Sequence, residues 1–167
     1  MAKKKQTNTL KLQSYNKISQ KYGSGLASKM VIDPDELIWL PSRILTVNYA
    51  LGGGIPYGKI LEISGEESAG KTLLGTDFGV CTQKLGGIVL YNDAEQAFDT
   101  RWAEKQGLDL SKIELLPETK VEIVSDWLRD TVLFYRSKLT ENEPILFIQD
   151  SMAALDIITK INSGQEE

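Results

Sequence analysis

Residues Gly65-Glu66-Glu67-Ser68-Ala69-Gly70-Lys71-Thr72 fit the pattern G-x-x-x-x-G-K-[ST], and no other stretch constrains this chain as tightly. They follow the strand-like run Lys59–Ser64 and precede Leu73-Leu74, the opening of a helix. A loop so placed turns tightly off a strand and gathers successive N–H groups at a helix N-terminus. Gly65 and Gly70 permit this because no Cβ obstructs the wrapped backbone. Such a loop cradles phosphates, with the Lys71 ammonium near the β- and γ-phosphates and the Thr72 hydroxyl on Mg²⁺. The expected binding set therefore runs through Gly65, Glu66, Glu67, Ser68, Ala69, Gly70, Lys71, Thr72 and Leu73, and the expected ligand is a nucleoside triphosphate.

A length of 167 residues accommodates one α/β domain and is too short for two comfortable ones. The net charge of −4 gives no overall attraction to nucleic acid or membrane. The single basic run, Lys3-Lys4-Lys5, reads as a solvated tail. There is no histidine, so every imidazole base and every His-ligated metal site is excluded from these residues. The lone cysteine, Cys81, rules out an intrachain disulfide and fits a reducing compartment; its place in a helix suits a buried small apolar side chain. No apolar stretch reaches the length of a membrane span and no secretory segment follows the lysines, so the cytoplasm is the expected location.

Alternating patterns predict the order of elements. Leu10–Tyr22 reads as a helix ended by Gly23 and Gly25, and Val31–Pro41 as an extended connection. Ser42 is placed to cap a short helix, Arg43–Leu51, stopped by Gly52-Gly53-Gly54. A strand at Lys59–Ser64 is followed by a helix at Lys71–Leu85, a strand at Ile88–Asn92 and a short helix at Thr100–Gln106. A third strand falls at Ile113–Leu116. Thr119 with Glu122 makes a capping box before a helix to Leu139, whose stripe of Val121, Val124, Leu128, Val132, Tyr135 and Leu139 suits a core face. Pro144–Gln149 is the fourth strand. Apolar strands alternating with helices predict an α/β fold with a largely parallel sheet flanked by helices. The division expected is a segment 1–35, holding the tail, first helix and linker, and a nucleotide-binding core over 36–167.

Acids at the C-terminal ends of strands complete the chemistry. Asp150, after Ile145–Gln149, suits the carboxylate that holds Mg²⁺ through water; its alternative is a cap on the following helix. Asn92-Asp93-Ala94-Glu95 ends the second strand at the edge where open α/β sheets bind ligands. Glu95 suits a base for attacking water in a chain without histidine, and Asp93 suits a structural role.

Three segments in this order and spacing resemble the ATP-binding core of the bacterial RecA recombinase family and its phage-encoded relatives. They are Gly65–Thr72, Tyr91-Asn92-Asp93-Ala94-Glu95-Gln96-Ala97-Phe98-Asp99, and Ile148-Gln149-Asp150-Ser151-Met152-Ala153-Ala154-Leu155. Upstream, Asn48–Ile60 and Ile18–Gly25 resemble the same family, the latter as the end of its N-terminal helix. The resemblance runs from about residue 15 to the C-terminus and covers roughly the first half of an ordinary member.

This resemblance implies a P-loop NTPase core of RecA type, preceded by an N-terminal helix that packs on a neighbouring protomer. It implies ATP and Mg²⁺ as cofactors, with Lys71 and Glu95 catalytic, and Thr72 and Asp150 serving the metal, Asp150 through water. Asp99 would accept from the adenine amino group, Trp102 would stack on adenine where the family carries tyrosine, and Ser151 matches the residue beside the magnesium acid. Glu66 stands in place of a common proline, Leu73 of a hydroxyl residue, Gln96 of a histidine, and Gln149 of an apolar residue. These mark a divergent member that keeps every primary catalytic group. The implied activity is ATP-dependent strand exchange in recombination and repair, with single-stranded DNA as partner and a helical homo-oligomer as the working form. Alternatives are a replicative helicase or circadian-type ATPase on the same core, or a truncated non-catalytic ATP-binding module that joins a recombinase filament. In the family the DNA-binding loops and a γ-phosphate-sensing strand follow the position of Glu167, and that strand lies between the phosphate-loop strand and the strand of Asp150. The expectation is therefore a core truncated before the DNA-binding loops, with two unpaired strand edges in mid-sheet, so that this is part of a longer product, a second chain fills the gap, or the piece folds differently.

Overall fold

A computed structural model describes residues 38–158 of the chain. The chain divides between Leu37 and Ile38 into two units, and all described residues belong to the second. The helix expected at Leu10–Tyr22 and the segment Ile161–Glu167 lie outside the described residues. In chain order the elements are β1 (Trp39–Leu40), α1 (Leu45–Leu51), β2 (Ile55–Pro56), α2 (Lys71–Lys84), β3 (Ile88–Asp93), α3 (Thr100–Lys105), β4 (Ile113–Leu116), α4 (Val121–Arg136) and β5 (Ile145–Asp150). Short 3₁₀ turns occupy Leu110–Lys112 and Met152–Ala154.

The fold is α/β, built on a parallel three-stranded sheet in the order β4-β3-β5. Every residue of β3 is buried, as befits an apolar strand hydrogen-bonded on both edges and covered on both faces. Ile88 pairs with Ile145 and Asp93 with Asp150, so β3 and β5 end level with one another. The acids at both strand ends therefore reach the same rim of the sheet. β1 and β2 form a separate antiparallel pair, and Gly54 beside it is required: a Cβ there would lie 2.1 Å from the Leu40 carbonyl oxygen.

α2 covers one face. Its Val80 joins Val89, Tyr91, Ala103 and Leu108 in one cluster, and its Phe78 and Cys81 join Leu40 in another. The buried run Thr76–Gln83 includes four polar side chains, each satisfied. Thr76 and Thr82 donate to carbonyls one turn back, Gln83 bridges to Asp109 and Lys112, and Asp77 accepts from Ser42 and Arg43. Cys81 is buried as expected, and burial is the first cause raising its thiol pKa. On the opposite face Trp127 of α4 meets Phe147 of β5 with ring centroids 6.4 Å apart. The predicted stripe faces inward: Val124 is buried, and Val121, Leu128, Val132, Tyr135 and Leu139 are half-buried.

Four expectations change. Lys59–Ser64 joins no ladder, because among the described residues no strand lies beside it. Ile60 is 99% exposed, and only Leu61 turns inward, onto the cluster of Phe78. β5 is correspondingly an edge strand, half-buried throughout. The Thr119–Glu122 capping box does not form. Asp156 N–H donates to the Thr119 carbonyl at 2.7 Å and draws Thr119 and Lys120 into an extended bridge, so α4 starts at Val121. The Glu118 carboxylate serves the two amides instead, at 2.8 Å from Thr119 N and 3.0 Å from Lys120 N. α4 ends at Arg136 rather than Leu139. Ser42 accepts from Ile44 N–H at 2.9 Å but lies ahead of the N-cap, Ile44, and α1 begins two residues later than predicted. The glycine triplet does stop α1: Gly52 is left-handed at φ 76° and Gly53 N–H returns to the Asn48 carbonyl at 2.8 Å.

Candidate functional site

The loop after Ser64 is tight and positively charged at its centre. Ser68 and Gly70 adopt left-handed φ angles of 58° and 92°, and Ala69 N–H closes a turn onto the Glu66 carbonyl at 3.3 Å. Lys71 Nζ donates to the carbonyls of Gly65 and Glu66 at 2.9 and 2.7 Å, so the loop curls around the ammonium. Glu66, Glu67, Ser68 and Ala69 are exposed. Gly70 is the N-cap of α2 and offers no side-chain cap; Leu74 N–H bonds to its carbonyl at 3.0 Å. The first N–H groups of α2, ahead of Leu74, take no side-chain cap and lie beside Lys71, the arrangement that favours an anion.

Across from the loop stands the carboxylate rim. Thr72 Oγ1 donates to Asp150 Oδ2 at 2.8 Å, joining residues 78 positions apart. Tyr91 donates to the same oxygen at 2.6 Å. Ala94 N–H donates to the Asp150 carbonyl at 2.9 Å, which sets the turn carrying Glu95 beside the end of β5. Burial first, then the bond to Asp150 and the charges of Asp150, Asp93 and Glu95, raise the Tyr91 phenol pKa far above its ordinary value. Those charges share one neighbourhood with the phenol. The Asp150–Ser151 peptide is cis.

Asp93 has the structural role expected of it, accepting from Ala97 N at 3.0 Å and Phe98 N at 2.9 Å and so tying the turn together. Glu95 is exposed at the tip of that turn, beside Gln96 at a left-handed φ of 54°. Among the described contacts none joins Glu95 to Lys71. Asp99 is the N-cap of α3, its Oδ1 accepting Trp102 N–H at 3.0 Å, and the Trp102 side chain is half-buried. Ser151 offers its carbonyl to Gln149 Nε2 at 3.1 Å, and Leu73 is 41% exposed on the first turn of α2.

Thr72 and Asp150 supply hard oxygen donors with one carboxylate between them. Among the described residues no cluster of three or more His, Cys, Asp or Glu is placed to cage a metal. That donor set fits Mg²⁺, which is bound by one or two carboxylates together with substrate phosphates and waters. A separate concavity of about 310 Å³ between β4 and α4 is lined by Glu114, Asp130, Thr131, Phe134 and Tyr135; its two acids disfavour phosphate.

Two features were not read from the sequence. One is the Tyr91–Asp150 bond. A tyrosine inside an apolar strand signals that its hydroxyl needs a partner, but which partner depends on strand register. The other is the pairing of Asn92 Nδ2 with Gln149 Oε1 at 2.9 Å across that register, which accounts for the amide at position 149.

The chain matches the family profile described as RecA N-terminal domain over residues 10–162. It is 36% identical over 145 residues to Protein RecA of Petrotoga mobilis, covering 83% of this chain and 36% of that protein. It is 32% identical over 164 residues to Protein RecA of Thermotoga neapolitana, covering 93% of this chain and 43% of that protein. With Protein RecA of Rhodopirellula baltica the identity is 43% over 90 residues, 53% of this chain and 23% of that protein. The chain thus spans less than half the length of these relatives. With the loop Gly65–Thr72, the level strand ends and a match of this extent, the chain belongs to the RecA family, to its N-terminal part.

Proposed function

We propose that this chain is the ATP-binding portion of a RecA-type, ATP-dependent DNA recombinase. The observation that carries the reading is the 2.8 Å bond from Thr72 to Asp150, which links the phosphate loop to the acid at the end of β5. The uncapped N–H groups at the start of α2, together with Lys71, bind the β- and γ-phosphates. Thr72, and Asp150 through water, would hold Mg²⁺, which when bound would neutralise charge on the phosphate oxygens. Glu95 orients the attacking water and accepts its proton. Trp102 stacks on adenine and Asp99 accepts from its amino group through the oxygen not used as a cap. Single-stranded DNA, a helical homo-oligomer formed through the N-terminal helix, strand exchange in repair, and a cytoplasmic setting complete the proposal.

Among the described residues Lys59–Ser64 is unpaired and largely exposed and β5 has one open edge, which favours a second reading, an ATP-binding module that does not turn over alone and joins a full-length recombinase filament. One experiment serves both. Lys71→Ala is expected to abolish ATP binding in equilibrium titrations, and Glu95→Gln to leave binding near that of the unaltered chain while stopping phosphate release. ATP binding by Lys71→Ala at the parental affinity would remove the phosphate-loop assignment. Hydrolysis by Glu95→Gln at the parental rate would remove the base assignment. Turnover by the chain alone would exclude the non-catalytic module.

A further inference from the structure

We propose that Tyr91 is a positioning residue for the magnesium carboxylate Asp150, a role that rests on the nucleotide-site reading above. Tyr91 is 1% exposed and its ring packs on Phe98 with centroids 4.4 Å apart. Ile148, not Asp150, is its register partner on β5. Asp150 lies two residues further along on the same face, a diagonal that an aromatic side chain spans. The phenol reaches Asp150 Oδ2 at 2.6 Å, and Thr72 reaches the same oxygen at 2.8 Å. Two hydroxyls from different elements therefore clamp one oxygen of a side chain whose own torsions the strand leaves free.

The two hydroxyls differ in what they can do. Thr72 is exposed, exchanges its proton with solvent, and must also turn a lone pair to the metal. Tyr91 has no water to turn to, so Asp150 is its standing partner. Among the described hydrogen bonds no side chain donates to Asp150 Oδ1, which leaves that oxygen to accept from a metal-bound water. Tyr91 thus sets the direction in which Asp150 offers its second oxygen. It touches neither nucleotide nor metal.

The test compares the unaltered chain with Tyr91→Phe, which keeps the ring against Phe98 and removes only the hydroxyl. A fluorescent ATP analogue is titrated in EDTA and then with increasing Mg²⁺. Tyr91→Phe is expected to leave metal-free binding unchanged and to raise the Mg²⁺ needed for half-maximal effect about tenfold. In an Asp150→Asn background the same substitution is expected to have no further effect. An unchanged Mg²⁺ requirement, or an equal loss with and without Asp150, overturns the positioning role. If Tyr91→Phe does not fold, fluorotyrosine at position 91 of the otherwise unaltered chain decides. Its ¹⁹F signal is expected to shift on adding Mg²⁺ to the ATP-bound protein, and no shift overturns the proposal. Failure of the unaltered chain to bind the analogue at all would instead reject the nucleotide-site reading, and the role of Tyr91 with it.

Discussion

Asp77 shows how a charged side chain persists in a helix buried on nearly every side. It is 3% exposed, yet Ser42 and both the backbone and the guanidinium of Arg43 donate to its two oxygens. Arg43 also donates to the Gln106 carbonyl at 2.8 Å, so one ion pair links the chain before α1 to α2 and to the end of α3. Burial pushes the Asp77 pKa up, but the bonds from Ser42 and Arg43 outweigh it and hold the group below its ordinary value. A depressed folded pKa means that the stabilisation is present above the ordinary carboxylate range and lost as pH falls through the depressed value. Asp77→Asn is therefore expected to lower stability by about 2 kcal/mol at neutral pH. It should also flatten the acid limb of stability against pH, measured by urea unfolding. An acid limb identical to that of the unaltered chain would show that Asp77 does not carry it.

At the next scale, the start of α4 shows tertiary pairing overriding a local capping motif. Thr119 and Glu122 have the right spacing for reciprocal capping, but the N-cap is Lys120, held extended by its bridge to Asp156, which leaves Thr119 ahead of the cap and Glu122 one position too early to complete the box. Glu122 turns instead towards Ile158 N–H, at 3.3 Å from each oxygen. Glu118 instead holds the two amides just ahead of the helix, and the bonds from Lys120 N and Thr119 N lower its pKa. Its contribution is thus present above the ordinary Glu range and lost as pH falls through the lowered value. Glu118→Gln is expected to lower the melting temperature at neutral pH more than Thr119→Ala does, followed by circular dichroism. The reverse order would restore the predicted box.

Across the described residues as a whole the decisive feature is the open edge of the sheet. β3 has partners on both sides, whereas β5 presents one edge and Lys59–Ser64 pairs with nothing among the described residues. The family resemblance implies a strand between these two segments, and Leu61 and Leu146 already pack on the same cluster of Phe78, Cys81 and Leu40. Ile60→Lys is accordingly expected to change the stability of this chain by less than about 0.5 kcal/mol, since the side chain is 99% exposed. Hydrogen exchange should be slow along β3 and faster along β5 and Lys59–Ser64. Protection of Lys59–Ser64 equal to that of β3, or a large loss from Ile60→Lys, would mean that this segment is paired in solution.

The sequence by itself determined the glycine-lysine loop, the three strands of the parallel sheet with their intervening helices, the inward stripe of α4 and the acids at strand ends. Each is written in local pattern: glycines where φ must be positive, apolar periodicity, and turn residues between runs. From α1 to β5 the predicted element types held except at Lys59–Ser64, and boundaries moved, because a helix end responds to neighbours that pattern does not encode, as Thr119 and Ser42 do. Only the tertiary structure decided register, and register decided the rest. It set Asp93 level with Asp150, matched Asn92 with Gln149, and brought the Tyr91 phenol to Asp150. Among the described residues Lys59–Ser64 finds no partner despite a strand's composition, since a strand is made by the neighbour that accepts its hydrogen bonds.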